Sequence, residues 1–123
     1  MLTVLPIQSK DEQKELCELC GVEYNESAFC YKAHDEKFIG ICQFYFENGI
    51  GYIENLAYAD GMDDSEAMII MLCAAMNFMY RCGLETSMLC ENAMPENLIN
   101  MSRYRKNENG VYTVDLKFYN HCH

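Results

Sequence analysis

The stretch Ile50-Gly-Tyr-Ile-Glu-Asn-Leu-Ala-Tyr58, with the acidic loop Ala59-Asp-Gly-Met-Asp-Asp64 and the apolar run that opens at Ser65, decides how this chain folds. Just before it, Glu47-Asn-Gly49 supplies a hairpin signal, because Asn and Gly tolerate the positive φ that tight turns need. A strand carrying Glu54 therefore returns antiparallel to the strand before it. From Ser65 to about Cys82 the sequence is apolar around most of a helical circumference and is closed by Arg81 and Gly83, the pattern of a helix buried against a sheet. A short strand, Glu85 to Cys90, follows after a tight connection, so the strand-helix-strand unit is expected to be a parallel crossover.

Upstream of that unit, Ser27 to His34 and Phe38 to Phe46 are rich in aromatics and partly alternate, with Asp35-Glu-Lys37 as the turn of an antiparallel pair. Leu2 to Ile7 reads as a first strand ended near Pro6. Asp11 to Cys20 reads as a helix with Ser9 as cap, Gly21 as stop and Leu16, Leu19 and Cys20 on its inner face. Downstream, Pro95 opens a helix reaching about Arg105, Asn107-Glu-Asn-Gly110 is a turn, and Val111 to Tyr119 alternates as a closing strand. No repeat, low-complexity segment or linker interrupts the chain, and its 123 residues form a single domain, 1–123. A chain of that size buries roughly two thirds of its unfolded surface.

Composition narrows the function classes. Nine basic against nineteen acidic residues give a formal charge of -10, a sign that repels phosphate backbones and anionic lipid headgroups, so nucleic acid and membrane surfaces are not expected partners. The N-terminal segment lacks a basic region ahead of its apolar residues, and the longest apolar run, Ala67 to Met76, falls short of the roughly 20 residues of a transmembrane helix. A soluble, cytoplasmic protein is expected. Most of the cysteines sit inside apolar patterns (Cys30, Cys42, Cys73, Cys90), where a reduced thiol serves as a small hydrophobe. Cys17-Glu-Leu-Cys20 has the spacing of half a zinc site, but it lies on a helix and lacks a second pair at similar spacing, which favours packing over a metal. His121-Cys-His123 sits at a chain end, without the surrounding shell that fixes metal ligands, so no metal is expected. Met62, Met68, Met71, Met76, Met79, Met88, Met94 and Met101 point to a soft, gap-filling core.

The order strand, helix, strand, strand, strand, helix, strand, helix, strand resembles the GNAT superfamily of acyl-CoA N-acetyltransferases. Tyr52-Ile-Glu-Asn-Leu-Ala-Tyr58 is similar to that family's fourth strand, and Asn97, Asn100 and Tyr104 resemble its Asn-x-x-Ala-x-x-x-Tyr pattern. The resemblance implies an α+β fold: a central mixed, mostly antiparallel sheet with helices on both faces. It also implies acetyl-CoA as donor substrate, an amine of a small molecule or peptide as acceptor, Glu54 as base and Tyr104 as acid toward the departing thiolate. Leu56, Tyr58, Ser65, Ala67 and Asn97 then fall at cofactor-contacting positions. The chemistry is coherent, since a tyrosine with a pKa near 10 stays protonated at neutral pH, and a carboxylate in a closed cleft can act as a base.

The chain departs from the family at the pyrophosphate loop. In place of Arg or Gln-x-x-Gly-x-Gly or Ala it has Gly61-Met-Asp-Asp-Ser-Glu-Ala67, and no register restores the glycines that let backbone approach phosphate. A carboxylate about 6 Å from a phosphate charge costs on the order of 2 to 3 kcal/mol at an effective dielectric near 20, whereas the helix dipole returns about 0.3 to 1 kcal/mol. Asp63, Asp64 and Glu66 also suit a helix start as caps, Asp64 or Ser65 being the N-cap. Glu54 has a plain alternative too, on the wet side of a strand or paired with Arg103 or Arg105, and Tyr104 one as an anchor of the last helical turn. Two functions stay open: an N-acetyltransferase, or a GNAT-like ligand-binding or protein-interaction module without CoA. A homodimer through a terminal strand or the aromatic hairpin at Phe44 to Phe46 belongs to the second.

Overall fold

The computed structural model describes residues 1–118. Its centre is the hairpin at Asn48-Gly49, where φ is 52° and 79° and Glu47 pairs with Ile50, a two-residue turn whose hand matches the twist of its strands. The hairpin joins β3 (Lys37–Glu47) to β4 (Ile50–Tyr58). On the far side of β3 lie β2 (Phe29–Asp35) and β1 (Thr3–Pro6), both antiparallel, and α1 (Lys10–Leu19) connects them. On the other side, α2 (Ser65–Arg81) carries the chain over to β5 (Thr86–Leu89), which pairs parallel to β4 as expected. After α3 (Glu96–Met101), β6 (Arg105–Lys106) and β7 (Tyr112–Asp115) complete a seven-stranded sheet of order β1-β2-β3-β4-β5-β7-β6. The fold is the α+β mixed sheet that the sequence implied.

Alternation along β3 separates the two faces. Cys42 and Phe44 face α2, whose buried Met68, Met71, Leu72, Ala75, Met76 and Met79 form the main core with Ile53 and Leu56. Ile41 faces α1 and packs with Cys17 and Cys30 in a smaller cluster. Gly51 marks where α2 comes closest to the sheet: a Cβ there would stand 2.5 Å from Met79 Sδ. The methionines fill the space over the sheet, as a flexible unbranched side chain does.

Several boundaries differ from the sequence reading. The helix expected to reach Arg105 ends at Met101, because the Ser102 hydroxyl bonds back to Ile99 O at 2.7 Å and accepts from Tyr104 N at 3.2 Å, so side-chain bonds replace the next helical turn. Arg105 and Lys106 then form the short β6, which the sequence did not indicate. The closing strand begins at Tyr112 and stops at Asp115, whose carboxylate accepts Lys117 N at 2.9 Å and turns the chain into a 3₁₀ turn, Leu116–Phe118. Tyr119 and His121-Cys-His123 lie outside the described residues. Cys17, Cys20, Cys30, Cys42, Cys82 and Cys90 are free thiols, whereas Cys73 departs from expectation in being disulfide-bonded. No group of three or more His, Cys, Asp or Glu side chains suited to a metal occurs among the described residues, and no helix there is long and apolar enough to cross a membrane.

Candidate active site

The site begins with a fault in the β3–β4 ladder. Gln43 pairs with Asn55 and Phe44 with Ile53, so Glu54 is the extra residue of a β-bulge. A bulge bends its strand and re-aims its side chains. Here it sends Ile53 and Leu56 into the core while Glu54 and Asn55, adjacent in sequence, both turn to the α1 side, where they bond Asn25 and Gln43. Strict alternation would have put those two side chains on opposite faces. The last β4–β5 pair, Ile53 with Leu89, falls at the same level, and beyond it the segment after β5 stays bonded to β4.

Glu54 opens into a cleft of about 940 Å³ lined by Glu23, Asn25, Tyr45, Glu47, Cys90 and Glu91, among others. Asn25 Nδ2 donates to Glu54 Oε1 at 2.7 Å, and among the described residues no basic side chain lines the cleft. Arg105, one of the two partners the plain reading offered Glu54, is engaged elsewhere: its Nη1 donates to Ser102 O and Tyr104 O. Tyr45 stacks on Tyr52, and its hydroxyl lies 3.5 Å from Cys90 Sγ. That contact, then burial and the neighbouring Cys90, Glu54 and Glu47 charges push the Tyr45 phenol up, so it stays protonated. Cys17, behind the cleft, is pushed up to about 11 by burial and by Glu54.

Tyr104 is elsewhere. It is wholly buried, its hydroxyl 2.7 Å from Ser87 Oγ, which in turn bonds Gly51 O at 2.8 Å. A serine has one hydroxyl hydrogen, and Ser87 spends it on Gly51, so Tyr104 donates to Ser87. Burial pushes the Tyr104 phenol far up. A donor sealed in the core cannot meet a departing thiolate unless the core opens, so this position makes Tyr104 a packing residue in place of the acid. Asn97 is exposed on α3.

The positions that the resemblance assigned to the cofactor lie just past the β4–β5 pairing and at the start of α2. Leu56 is buried, and its backbone N–H already donates to Ala93 O at 2.7 Å. Cys90 N donates to Ile53 O, so the segment after β5 continues beside β4. At the start of α2, Asp64 is the N-cap and accepts Ala67 N at 3.2 Å, while Asp63 and Glu66 are exposed and Ser65 is half-buried. The Tyr58 hydroxyl beside them is buried, and burial followed by Asp63 raises its pKa. The three carboxylates thus divide into one that caps and two that face water.

No sequence-family model matches the chain, and no curated protein matches it in sequence. Solved structures do. The ribosomal-protein-S18-alanine N-acetyltransferase from Escherichia coli superposes with a TM-score of 0.65 at 11% identity, over 92% of this chain and 89% of that one. A Bacillus subtilis acetyltransferase in complex with CoA gives 0.62 at 14% identity, over 94% and 99%. The PaiA N-acetyltransferase from Thermoplasma acidophilum in complex with coenzyme A gives 0.61 at 9% identity, over 90% and 96%. The chain has the GNAT acetyltransferase fold.

Residues that could hold an acyl-CoA at that end of β4 are Leu56, whose N–H is bonded to Ala93 O, and the first N–H groups of α2 at Ser65 and Glu66.

Proposed function

We propose that the chain is an N-acetyltransferase that moves an acetyl group from acetyl-CoA to a cationic amine of a small molecule or peptide, with Glu54 as the base. The observation that carries this reading is Glu54 itself, set on the β4 bulge just past the last β4–β5 pair, facing an open cleft and held by Asn25. An alkylammonium with a pKa near 10.4 has no lone pair until it gives up a proton, and Glu54 is placed to accept it directly or through one water. Glu23, Glu47 and Glu91 around the cleft favour a cation over a neutral or acidic acceptor by their field. When bound, the thioester supplies an activated acyl group on a thiol whose pKa, near 8.5 for an alkyl thiol, makes its thiolate a good leaving group. The missing acid at Tyr104 therefore costs this mechanism little. A cytoplasmic setting belongs to the same reading.

A second reading has its own observation. The Leu56 N–H is bonded to Ala93 O, and the Ala67 N–H to Asp64, so groups that would meet the donor are engaged by the chain itself. A ligand-binding module, dimeric or not, that takes a cationic amine without acyl-CoA would keep the cleft and need no donor slot. Calorimetry with acetyl-CoA decides between them, on wild type and on a variant with Asp63→Asn, Asp64→Asn and Glu66→Gln. The transferase reading expects micromolar binding to wild type and several-fold tighter binding to the variant, since removing two or three like charges relieves repulsion. Absence of heat from both proteins at high micromolar ligand would leave only the module.

A further inference from the structure

Gln43 is wholly buried in the middle of β3, where an amide is costly unless each polar atom is bonded. Its bonds are complete. Oε1 accepts from Gln13 Nε2 at 2.9 Å and from Asn25 N at 3.1 Å; Nε2 donates to Glu23 O at 2.9 Å and to Asn55 Oδ1 at 2.7 Å. That uses both lone pairs and both hydrogens of the amide. Gln13, also buried, reaches the same loop from α1 through Asn25 O at 3.2 Å, and its own carbonyl is held by Lys10 at 3.1 Å.

These bonds converge on Asn25. Its backbone N–H goes to Gln43, its carbonyl to Gln13, and its side-chain Oδ1 accepts Ser27 N at 3.0 Å, which fixes the amide so that Nδ2 points outward. The Nδ2 group meets Glu54 Oε1 at 2.7 Å. On the other flank Gln43 holds Asn55, the residue next to Glu54 at the bulge. Gln43 thus grips the carboxylate's donor and its neighbour at once. A bond to one carboxylate oxygen leaves the other, Oε2, available to an amine or water in the cleft.

We propose that Gln43 is a positioning residue: acting through Asn25 and Asn55, it fixes the Glu54 carboxylate against the acceptor cleft. The proposal rests on the transferase reading for its kinetic consequence only, because the positioning itself is measurable in the protein without donor. Gln43→Met keeps the volume and removes the four bonds; Asn25→Ala, on a partly exposed residue, removes the bond to Glu54 together with the local bond from Ser27 N and leaves Gln43 in place. Each lowers kcat on the order of 10- to 100-fold with the acceptor KM little changed. In a Glu54→Gln background neither causes a further loss, because there is no longer a base to position. A network that merely stabilises the fold would instead lower activity by the same factor in both backgrounds, and that result overturns the proposal.

The second measurement is NMR of the side-chain amides. In wild type one Asn25 side-chain proton is shifted downfield by its charge-assisted bond, and in folded Gln43→Met that shift collapses. An unmoved Asn25 signal in folded Gln43→Met overturns the proposal even if kcat falls. Should Gln43→Met fail to fold, Gln13→Met loosens the Asn25 carbonyl alone, and the same signal is read there with the same two outcomes. Wild type without any transferase activity overturns the transferase reading, while the amide signal still decides the positioning.

Discussion

The two faces of β4 do different work. Toward α1 the bulge presents Glu54 and Asn55, with each side chain hydrogen-bonded and an open cleft beyond. Toward α2 the same strand presents Gly51, Ile53 and Leu56, all buried against methionines or against the Ser87–Tyr104 pair. The difference teaches that one inserted residue can sort a strand's chemistry from its packing, because side-chain direction has period 2 and a bulge resets it. Tyr104, which the motif had placed with the chemistry, belongs to the packing side.

If that division is right, variants on the two faces fail in different ways. The largest effect is expected from Glu54→Gln, with kcat/KM for the amine falling on the order of 10²- to 10⁴-fold while Tm stays within a degree or so. An unchanged rate in steady-state assays would take the base role away from this face. Next comes Gly51→Val, whose side chain runs into Met79 and should cost about 1 to 3 kcal/mol, lowering Tm by several degrees in thermal unfolding. Residual activity per folded molecule should be intact, and a selective loss of kcat there would show that the faces are coupled.

Tyr104→Phe tests the division more finely. Losing the bond to Ser87 should reduce stability by about 0.5 to 1.5 kcal/mol in denaturant titration and leave kcat unchanged. A large kcat loss without destabilisation would return Tyr104 to the acid role. The smallest effect concerns pH. Cys17 and Cys20 have thiol pKa values raised from an ordinary 9.0 to about 11 and about 12, chiefly by burial. The unfolded chain therefore loses protons first as pH rises, so their contribution is full below about pH 9 and is lost as pH climbs through 11 to 12. Cys17→Ala should flatten that alkaline fall in urea midpoints measured between those limits, and an unaltered slope would contradict it.

Much of this architecture was legible in the sequence for local reasons. Asn48-Gly49 needs positive φ at adjacent positions, and the apolar circumference of Ser65 to Arg81 demands burial, so hairpin and crossover helix followed from the residues themselves. The N-cap was narrowed by the sequence to Asp64 or Ser65, and it is Asp64. Glu54 stood out for its place in a motif, and the structure brings it to a cleft. Asn25, Gln13 and Gln43 did not stand out, because a glutamine in an aromatic strand carries no sign of its partners 30 residues away on α1 or 18 away in the loop. The one available signal was the polar side chain of Gln43 inside the otherwise apolar run Phe38 to Phe46.

The sequence by itself determined most of the elements, their order and the charge that any partner must tolerate, since turn chemistry, helical periodicity and net charge are local or additive properties. Only the tertiary structure decided what those elements leave free. Whether the Leu56 N–H is open or bonded to Ala93 O, whether Tyr104 meets solvent or Ser87, and where Asp64 points each depend on segments far apart in the chain competing for the same hydrogen bond or the same volume. Such a competition is settled by packing, and no window of sequence contains both contestants.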